Sequence, residues 1–499
     1  MFRHTTFAST LALSVPLLLV ACNNTDTDSA AGELTYYADA KPIIDAKCAT
    51  CHQPGDIGPF SLTTFEEVSA FDAAVRSSIE NETMPPWMPA DECNDYVVNI
   101  DLTDDERSTL LAWIDGGAAE GDPAEALDDA DTSSEDEWTA DLTLRMPEPY
   151  TPQLEPDDHR CQLIEWPHDE PVYVTGLRVV PDQRPIVHHT IVFLVSPGQV
   201  EQYEAWDAAE DGPGYTCYGG PMASSSGGML GDVDIQELMA ALEAVGLTLA
   251  ELRSGEATPE ELAALFGELG MGDAGFSALL GSWVPGTPNL PLPEGTGLLV
   301  EPGSLIVAQM HYNTQSADPV ADQSTIELQL AQTVERPAAN MLGLDLGWIS
   351  NGQFGDPMTI PAGEAEVTHS TSIEYDSLWV RMALSTIGVE FGDPIVIHSA
   401  SHHMHELGTS QTSTVRNADG TESCLLDIPD WDFNWQGAYQ LVEPVVLGPG
   451  DSVEMSCTWD NSAANQPVVD GEVQEPRDVE WGEGTSDEMC LGGFYVTAQ

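Results

Sequence analysis

Positive charge is what this 499-residue sequence lacks most: 14 Lys and Arg stand against 84 Asp and Glu, a formal net charge of −70. Only two of those cations are lysines, Lys41 and Lys47. Phosphates need cations to displace their counterions, so nucleic acid and acidic lipid headgroups are excluded as partners. Long hydrophobic runs are missing as well. The apolar run Phe7–Val20 falls short of the roughly 20 residues a membrane helix requires, and nothing later in the chain is longer. Disorder throughout is excluded by a 42% hydrophobic content and 12 tryptophans. Histidine is sparse, at 12 residues, so wherever histidines cluster the clustering carries information. The length predicts two to four domains.

The first residues, Met1-Phe2-Arg3-His4, are weakly basic, and the apolar run ends in Leu19-Val20-Ala21-Cys22. This is the pattern of a secretory signal, and its ending resembles a bacterial lipobox. The resemblance implies a signal peptide over 1–21, lipidation of Cys22 and a polar tether over 22–33. The expected location is the cell envelope, facing the periplasm or on the outer-membrane surface, with the membrane touched only through the lipid. An exported chain meets an oxidising compartment, where the eight remaining cysteines can pair.

Residues 34–120 read as helical. Tyr36–Ala49, Phe65–Asn81 and Asp104–Gly116 show apolar residues at helix spacing, and Thr103 with Glu106 predicts a capping box for the last. Residues 121–140 are an acidic, Ser/Asp-rich linker. Short strand-like runs follow, among them Val172–Val180, Ile186–Val195, Gly297–Glu301, Leu305–His311 and Leu441–Leu447. They predict two all-β antiparallel sandwich or jelly-roll domains, 141–335 and 336–499. An Ala/Leu/Glu-rich stretch, 232–281, is expected as a helical insertion in the first.

Cys48-Ala49-Thr50-Cys51-His52 is a C-x-x-C-H motif. Two thiols one helical turn apart can add to the vinyl groups of one haem c, whose iron His52 then ligates. Zinc would need further ligands nearby, and this block offers only Cys93. Met84-Pro85-Pro86-Trp87-Met88-Pro89 supplies a thioether for the sixth position. The block resembles the small c-type cytochrome domains of exported bacterial proteins, which implies Met84 as that ligand, Met88 being the alternative, and Phe60 and Trp113 as haem packing. The two lysines lie just before the motif, marking either donor docking or merely the least acidic domain.

Six of the other histidines fall into three groups: His188-His189, Gln309-Met310-His311-Tyr312 and His402-His403-Met404-His405. In a strand His403 and His405 share a face, whereas adjacent His188 and His189 can both ligate only where the strand bulges. Imidazole alone does not choose among copper, zinc, iron and nickel. With Thr485-Ser486-Asp487-Glu488-Met489-Cys490, the ordered motifs resemble the copper type II, ascorbate-dependent monooxygenases, the family of dopamine β-monooxygenase and peptidylglycine α-hydroxylating monooxygenase. The likeness covers roughly 145–499 without the insertion.

That resemblance implies two copper ions. One would be an electron-transfer copper on His188, His189 and His311, the other an oxygen-activating copper on His403, His405 and Met489, the catalytic set. It also implies disulfides Cys161–Cys217 and Cys457–Cys490, leaving Cys93 and Cys424 paired or free. His402 is left as a supporting or surface residue. Where amidating members carry Arg and Asn, this chain has Ser401 and Leu491, so peptide amidation is not expected. Trp431-Asp432-Phe433-Asn434-Trp435 alternates like a core strand, with a substrate-cleft wall as the other possibility.

The combined expectation is a haem-fused copper monooxygenase that hydroxylates a C–H bond of a small-molecule or peptide-like substrate with dioxygen. Electrons would come from an ascorbate-like reductant or a redox protein, through haem and the first copper. The alternative is a non-catalytic envelope electron-transfer or copper-binding protein.

Overall fold

The computed structural model describes residues 34–499 except 55, 57, 127–138, 156, 218–219, 224–234, most of 249–277, 285–291, 315–316, 353–354, 470–471, 483 and 485. The signal peptide, Cys22, the tether, the middle of the linker, most of the insertion and Thr485 lie outside the described residues.

The N-terminal block is helical. A π-helical turn, Tyr36–Ala40, leads into α1 (Lys41–Lys47), followed by α2 (Phe65–Ala70), α3 (Asp72–Glu80) and α4 (Asp104–Asp115). The capping box at α4 is present in both directions between Thr103 and Glu106. The long helix expected over Phe65–Asn81 breaks at Phe71, which leaves helical geometry and stacks its ring on Phe60, centroids 4.0 Å apart. Tyr36, Ile44, Val68, Leu110 and Trp113 form the core of the block.

Nine strands come next: β1 (Leu142–Arg145), β2 (Asp157–Glu165), β3 (Val172–Val180), β4 (Val187–Val195), β5 (Tyr215–Thr216), β6 (Ala278–Trp283), β7 (Thr296–Val300), β8 (Leu305–Asn313) and β9 (Thr325–Ala331). The second half adds β10 (Arg336–Gly343), β11 (Val367–Glu374), β12 (Ile395–His403), β13 (Gly408–Arg416) and β14 (Glu422–Ile428). It closes with β15 (Ala438–Leu447), β16 (Ser452–Trp459), the short pair β17 (Val468–Val469) and β18 (Glu472–Val473), and β19 (Leu491–Ala498). Of the insertion, the helix Ile235–Val245 is described; residues 278–281, assigned to it from composition, belong instead to β6, which pairs with β4.

The sheets are consistent with the expected β-sandwiches, but the pairing is mixed rather than wholly antiparallel. One eight-stranded sheet, β1-β9-β3-β7-β10-β19-β12-β15, runs through both halves, and the join between β7 and β10 is parallel. The five-stranded sheet β5-β2-β8-β4-β6 shares one apolar core with the first half of this sheet. The four-stranded sheet β11-β16-β13-β14 shares another with the second half. Continuous backbone hydrogen bonding across β7–β10–β19 makes the two sandwiches one body, so groups on either side of the join are held at fixed separation.

The helical block is joined to the C-terminal half. Cys93 and Cys424 are disulfide-bonded across 331 residues of sequence. Beside the disulfide the chain pairs with the sheet edge at β15: Val97 N–H donates to Gln440 O at 2.8 Å and Val442 N–H to Asp95 O at 2.9 Å. Trp87, Tyr96 and Tyr439 pack edge to face over this contact. The disulfides Cys161–Cys217 and Cys457–Cys490 are both formed.

Candidate metal centres

β8 runs between β2 and β4, and the strand registers set His159 and His189 on either side of His311 in one row. The register of β4 slips between Val187 and His189, so His188 is the extra residue of a bulge. That bulge turns both adjacent histidines to the same place. His189 Nδ1 lies 3.3 Å from Nδ1 of His188 and 3.3 Å from Nδ1 of His311. A metal held by metal–nitrogen bonds of about 2.0 Å in tetrahedral directions spaces its ligands by about 3.3 Å, the spacing His189 keeps to both neighbours. The His311 ring is oriented from behind, its Nε2 pairing with Asp157 Oδ1 at 2.9 Å, which leaves Nδ1 its lone pair. Burial pushes His189 and His311 well below the usual imidazole range and lowers His188, keeping all three neutral, the ligating form.

His159 was missed in the sequence because it is isolated there; only the pairing of β2 with β8 brings it in. Its ring stacks on His311 at 4.0 Å and 9°. His159, His189 and His311 offer nitrogens within 4.8 Å of one another. The lone pairs of two parallel rings lie in their own planes, however, and cannot both aim at an ion between them. His159 therefore braces His311, while the Nδ1 atoms of His188 and His311 both lie 3.3 Å from that of His189.

The second group departs from the expected strand geometry. β12 ends at His403, and His405 lies in the connection to β13, with ring centroids 5.1 Å apart. Both rings are held by Nδ1: that of His403 by Gln436 Oε1, that of His405 by Asp487 O at 3.0 Å. Holding these two rings by Nδ1 is the reverse of the first group, where Nδ1 converges. Burial lowers His403 and brings His405 to about 3. Met489 is buried on the segment entering β19. Its neighbour Glu488 accepts the backbone N–H of His405 and of Leu407, so this segment is pinned to the histidine turn. His402 faces the opposite side, with Nε2 on Ser413 Oγ at 2.9 Å, away from the ligand set. After burial, His403 is among the charges depressing His189, and His159 among those depressing His405, so the two groups face each other electrostatically.

The alternating aromatics at 431–435 form no strand; they are a turn beside the second group. Trp431 Nε1 donates to His405 O at 3.3 Å, the Phe433 ring stands 6.1 Å from that of His405, and Gln436 at the end of the segment holds His403. Alternation arose because Trp431 and Trp435 pack inward while Asp432 and Asn434 stay exposed.

In the helical block, the N–H groups of Cys51 and His52 both donate to Cys48 O, and the two thiols are unpaired with each other. His52 Nδ1 pairs with Phe60 O at 3.0 Å, which leaves Nε2 free. A Cβ on Gly58 would meet Cys51 O and His52 Nδ1 at 2.8 Å each, so only glycine lets this loop close over the motif. An unpaired thiol couple and an oriented imidazole fit covalent haem. Met88 is buried in the C-terminal core, its sulfur 3.4 Å from Asp432 N, whereas Met84 is half-buried and outside that core. Phe60 lies against His52, but Trp113 is committed to the helical core, with Nε1 on Ala119 O. The lysines are spoken for locally: Lys41 pairs with Asp45, and Lys47 Nζ donates to Asn99 O and Asp101 O. These contacts tie both lysines to the helical block.

Residues 346–497 match the family model described as copper type II ascorbate-dependent monooxygenase, C-terminal domain. That stretch contains His403, His405 and Met489. The matched C-terminal stretch identifies an oxygen-using oxidoreductase. No curated protein matches it. The copper monooxygenase match ends short of the first histidine group, which stands on its own geometry, and it does not reach the C-x-x-C-H block.

Proposed function

We propose that this protein is an exported, envelope-tethered copper monooxygenase that hydroxylates a C–H bond of a small-molecule or peptide-like substrate. The observation that carries the reading is the pairing of two differently built imidazole groups, one converging through Nδ1 and one held by Nδ1, with a buried methionine on the segment pinned to its turn. When bound, two coppers and one haem c would supply single-electron transfer and dioxygen activation. The chain's own part is to hold ligands. His188, His189 and His311, neutral through burial, suit a metal that changes oxidation state without large rearrangement. His403 and His405, with the soft thioether of Met489, favour Cu(I), the state that meets dioxygen. Cys48, Cys51 and His52 would attach the haem, with Met84 as its second axial ligand. Phe433 and Trp431 wall the second group from water on one side. Cys22 would carry the lipid anchor.

The test is metal analysis of the purified full chain, followed by oxygen uptake with ascorbate across a substrate panel. Two coppers and one covalent haem per chain, with substrate-linked oxygen consumption, are expected. Intact metal content with no substrate-linked uptake would favour a non-catalytic envelope redox protein.

A further inference from the structure

We propose that the ion pair between Asp56 and Arg184, with the Cys93–Cys424 disulfide behind it, docks the C-x-x-C-H loop against the strand that carries the first histidine group. The inference rests on the haem and copper reading above.

Arg184 Nη1 stands 2.9 Å from Asp56 Oδ2, and the Asp56 side chain is only 5% exposed. In a chain with 84 acidic residues and 14 cations, a half-exposed arginine is committed to this carboxylate, which also accepts from Gln53 Nε2 at 3.0 Å. The pair joins two parts of the chain 128 residues apart in sequence, with Gln53 and Arg184 sharing one carboxylate oxygen. Each partner is tied by backbone hydrogen bonds to one of the two groups. Arg184 sits in the turn that launches β4: Ile186 and Val187 N–H both donate to Gln183 O at 3.1 Å. Asn313 N–H at the end of β8 donates to Ile186 O at 2.8 Å, so the turn is tied to the strands of His188, His189 and His311. Asp56 lies in the loop whose ends return to the motif: Gly58 N–H donates to Cys51 O and Leu62 N–H to His52 O.

The helical block is thus attached at two separated points on two halves of the molecule. Cys93–Cys424 and the strand pairing at Tyr96–Leu441 hold it to the C-terminal half, and Asp56–Arg184 holds it to the first half. A single tether would leave the block free to rotate; the second contact removes that freedom and replaces a diffusional encounter with a fixed one. Asp56 and Arg184 are therefore positioning residues for electron delivery. In that step one electron leaves a ferrous haem iron, which becomes ferric, and reduces Cu(II) to Cu(I) at His188, His189 and His311; an ascorbate-class reductant restores the ferrous iron.

The test uses the full chain, copper-free, with its haem reduced by ascorbate and the excess removed. Rapid anaerobic mixing with Cu(II) is followed by the absorbance of the haem, with His311→Ala reporting oxidation by copper bound elsewhere. Arg184→Glu, and more mildly Arg184→Gln, should slow haem reoxidation about fivefold, the size of one lost ion pair. The charge-swapped double variant, Asp56→Arg with Arg184→Asp, should recover the rate, and the single variants should slow it without shifting the urea unfolding midpoint, as a merely structural role would. Equal rates in wild type and both single variants overturn this inference and leave the haem reading standing. A wild-type protein with no covalent haem overturns both.

Discussion

The Glu488 carboxylate accepts the backbone N–H of His405 at 2.9 Å, and the same side chain takes Leu407 N–H at 2.7 Å and Trp459 Nε1–H at 2.9 Å. It is fully buried, and burial pushes it up to about 7 against the pull of those donors. Glu488 is the clasp between the Met489 segment and the turn bearing His405. Glu488→Ala strands three donors in the core and should cost about 3 kcal/mol of stability in urea unfolding. Glu488→Gln, which keeps the shape and an acceptor oxygen, should cost less than half of that. Equal losses would show that volume, not hydrogen bonding, is what Glu488 supplies.

His159 is expected to matter through its ring rather than its nitrogens. Its stack on His311 holds that ring in place, as supporting groups around metal ligands do. His159→Ala should weaken copper binding at the first group about tenfold, measured by competition with a chelator. His159→Phe, which preserves the stack, should bind nearly as the wild type does. Loss of one nitrogen from the Cu(II) magnetic resonance spectrum in both variants would instead make His159 a ligand.

Acid should destabilise the fold partly through His398. This residue is buried in β12, its Nε2 on Thr497 Oγ1 at 2.9 Å, with the Tyr495 ring 6.3 Å away. Burial, and then the nearby Arg336 charge, bring it from 6.5 to about 4. The folded value lies below the unfolded one, so its contribution is present above 6.5 and lost as pH falls towards 4. Across that window the wild type should lose up to about 3 kcal/mol more than His398→Gln in parallel unfolding curves. Parallel slopes would place the acid sensitivity elsewhere.

Removing the Cys93–Cys424 bridge tests how firmly the helical block is held. The doubly substituted Cys93→Ser, Cys424→Ser protein should lose about 2–4 kcal/mol in unfolding experiments. Hydrogen exchange over the residues pairing with β15 should rise more than in the sheet interior. Unchanged protection at Tyr96 and Val97 would mean that the strand pairing and aromatic packing suffice alone.

Much of the local structure was legible before any coordinates. Val172–Val180 is a strand from end to end, and the Thr103–Glu106 box starts its helix, because alternation and capping are contacts between near neighbours. The histidine groups were legible for the same reason: His188 beside His189 and His403 near His405 need no fold to be noticed. The Trp431–Trp435 alternation misled, since a turn with two inward tryptophans writes the same pattern as a strand.

The sequence by itself determined the chemistry available: the scarcity of cations, the C-x-x-C-H motif and the imidazole and thioether donors. Tertiary structure alone decided how those donors act. It bulged β4 so that two adjacent histidines converge, set His159 against His311 through the β2–β8 register, and drew Met88 into the C-terminal core. It also joined Cys93 to Cys424 and Asp56 to Arg184. Each of these depends on residues far apart in the chain, and a sequence pattern records neighbours along the backbone, not which distant surfaces exclude water together.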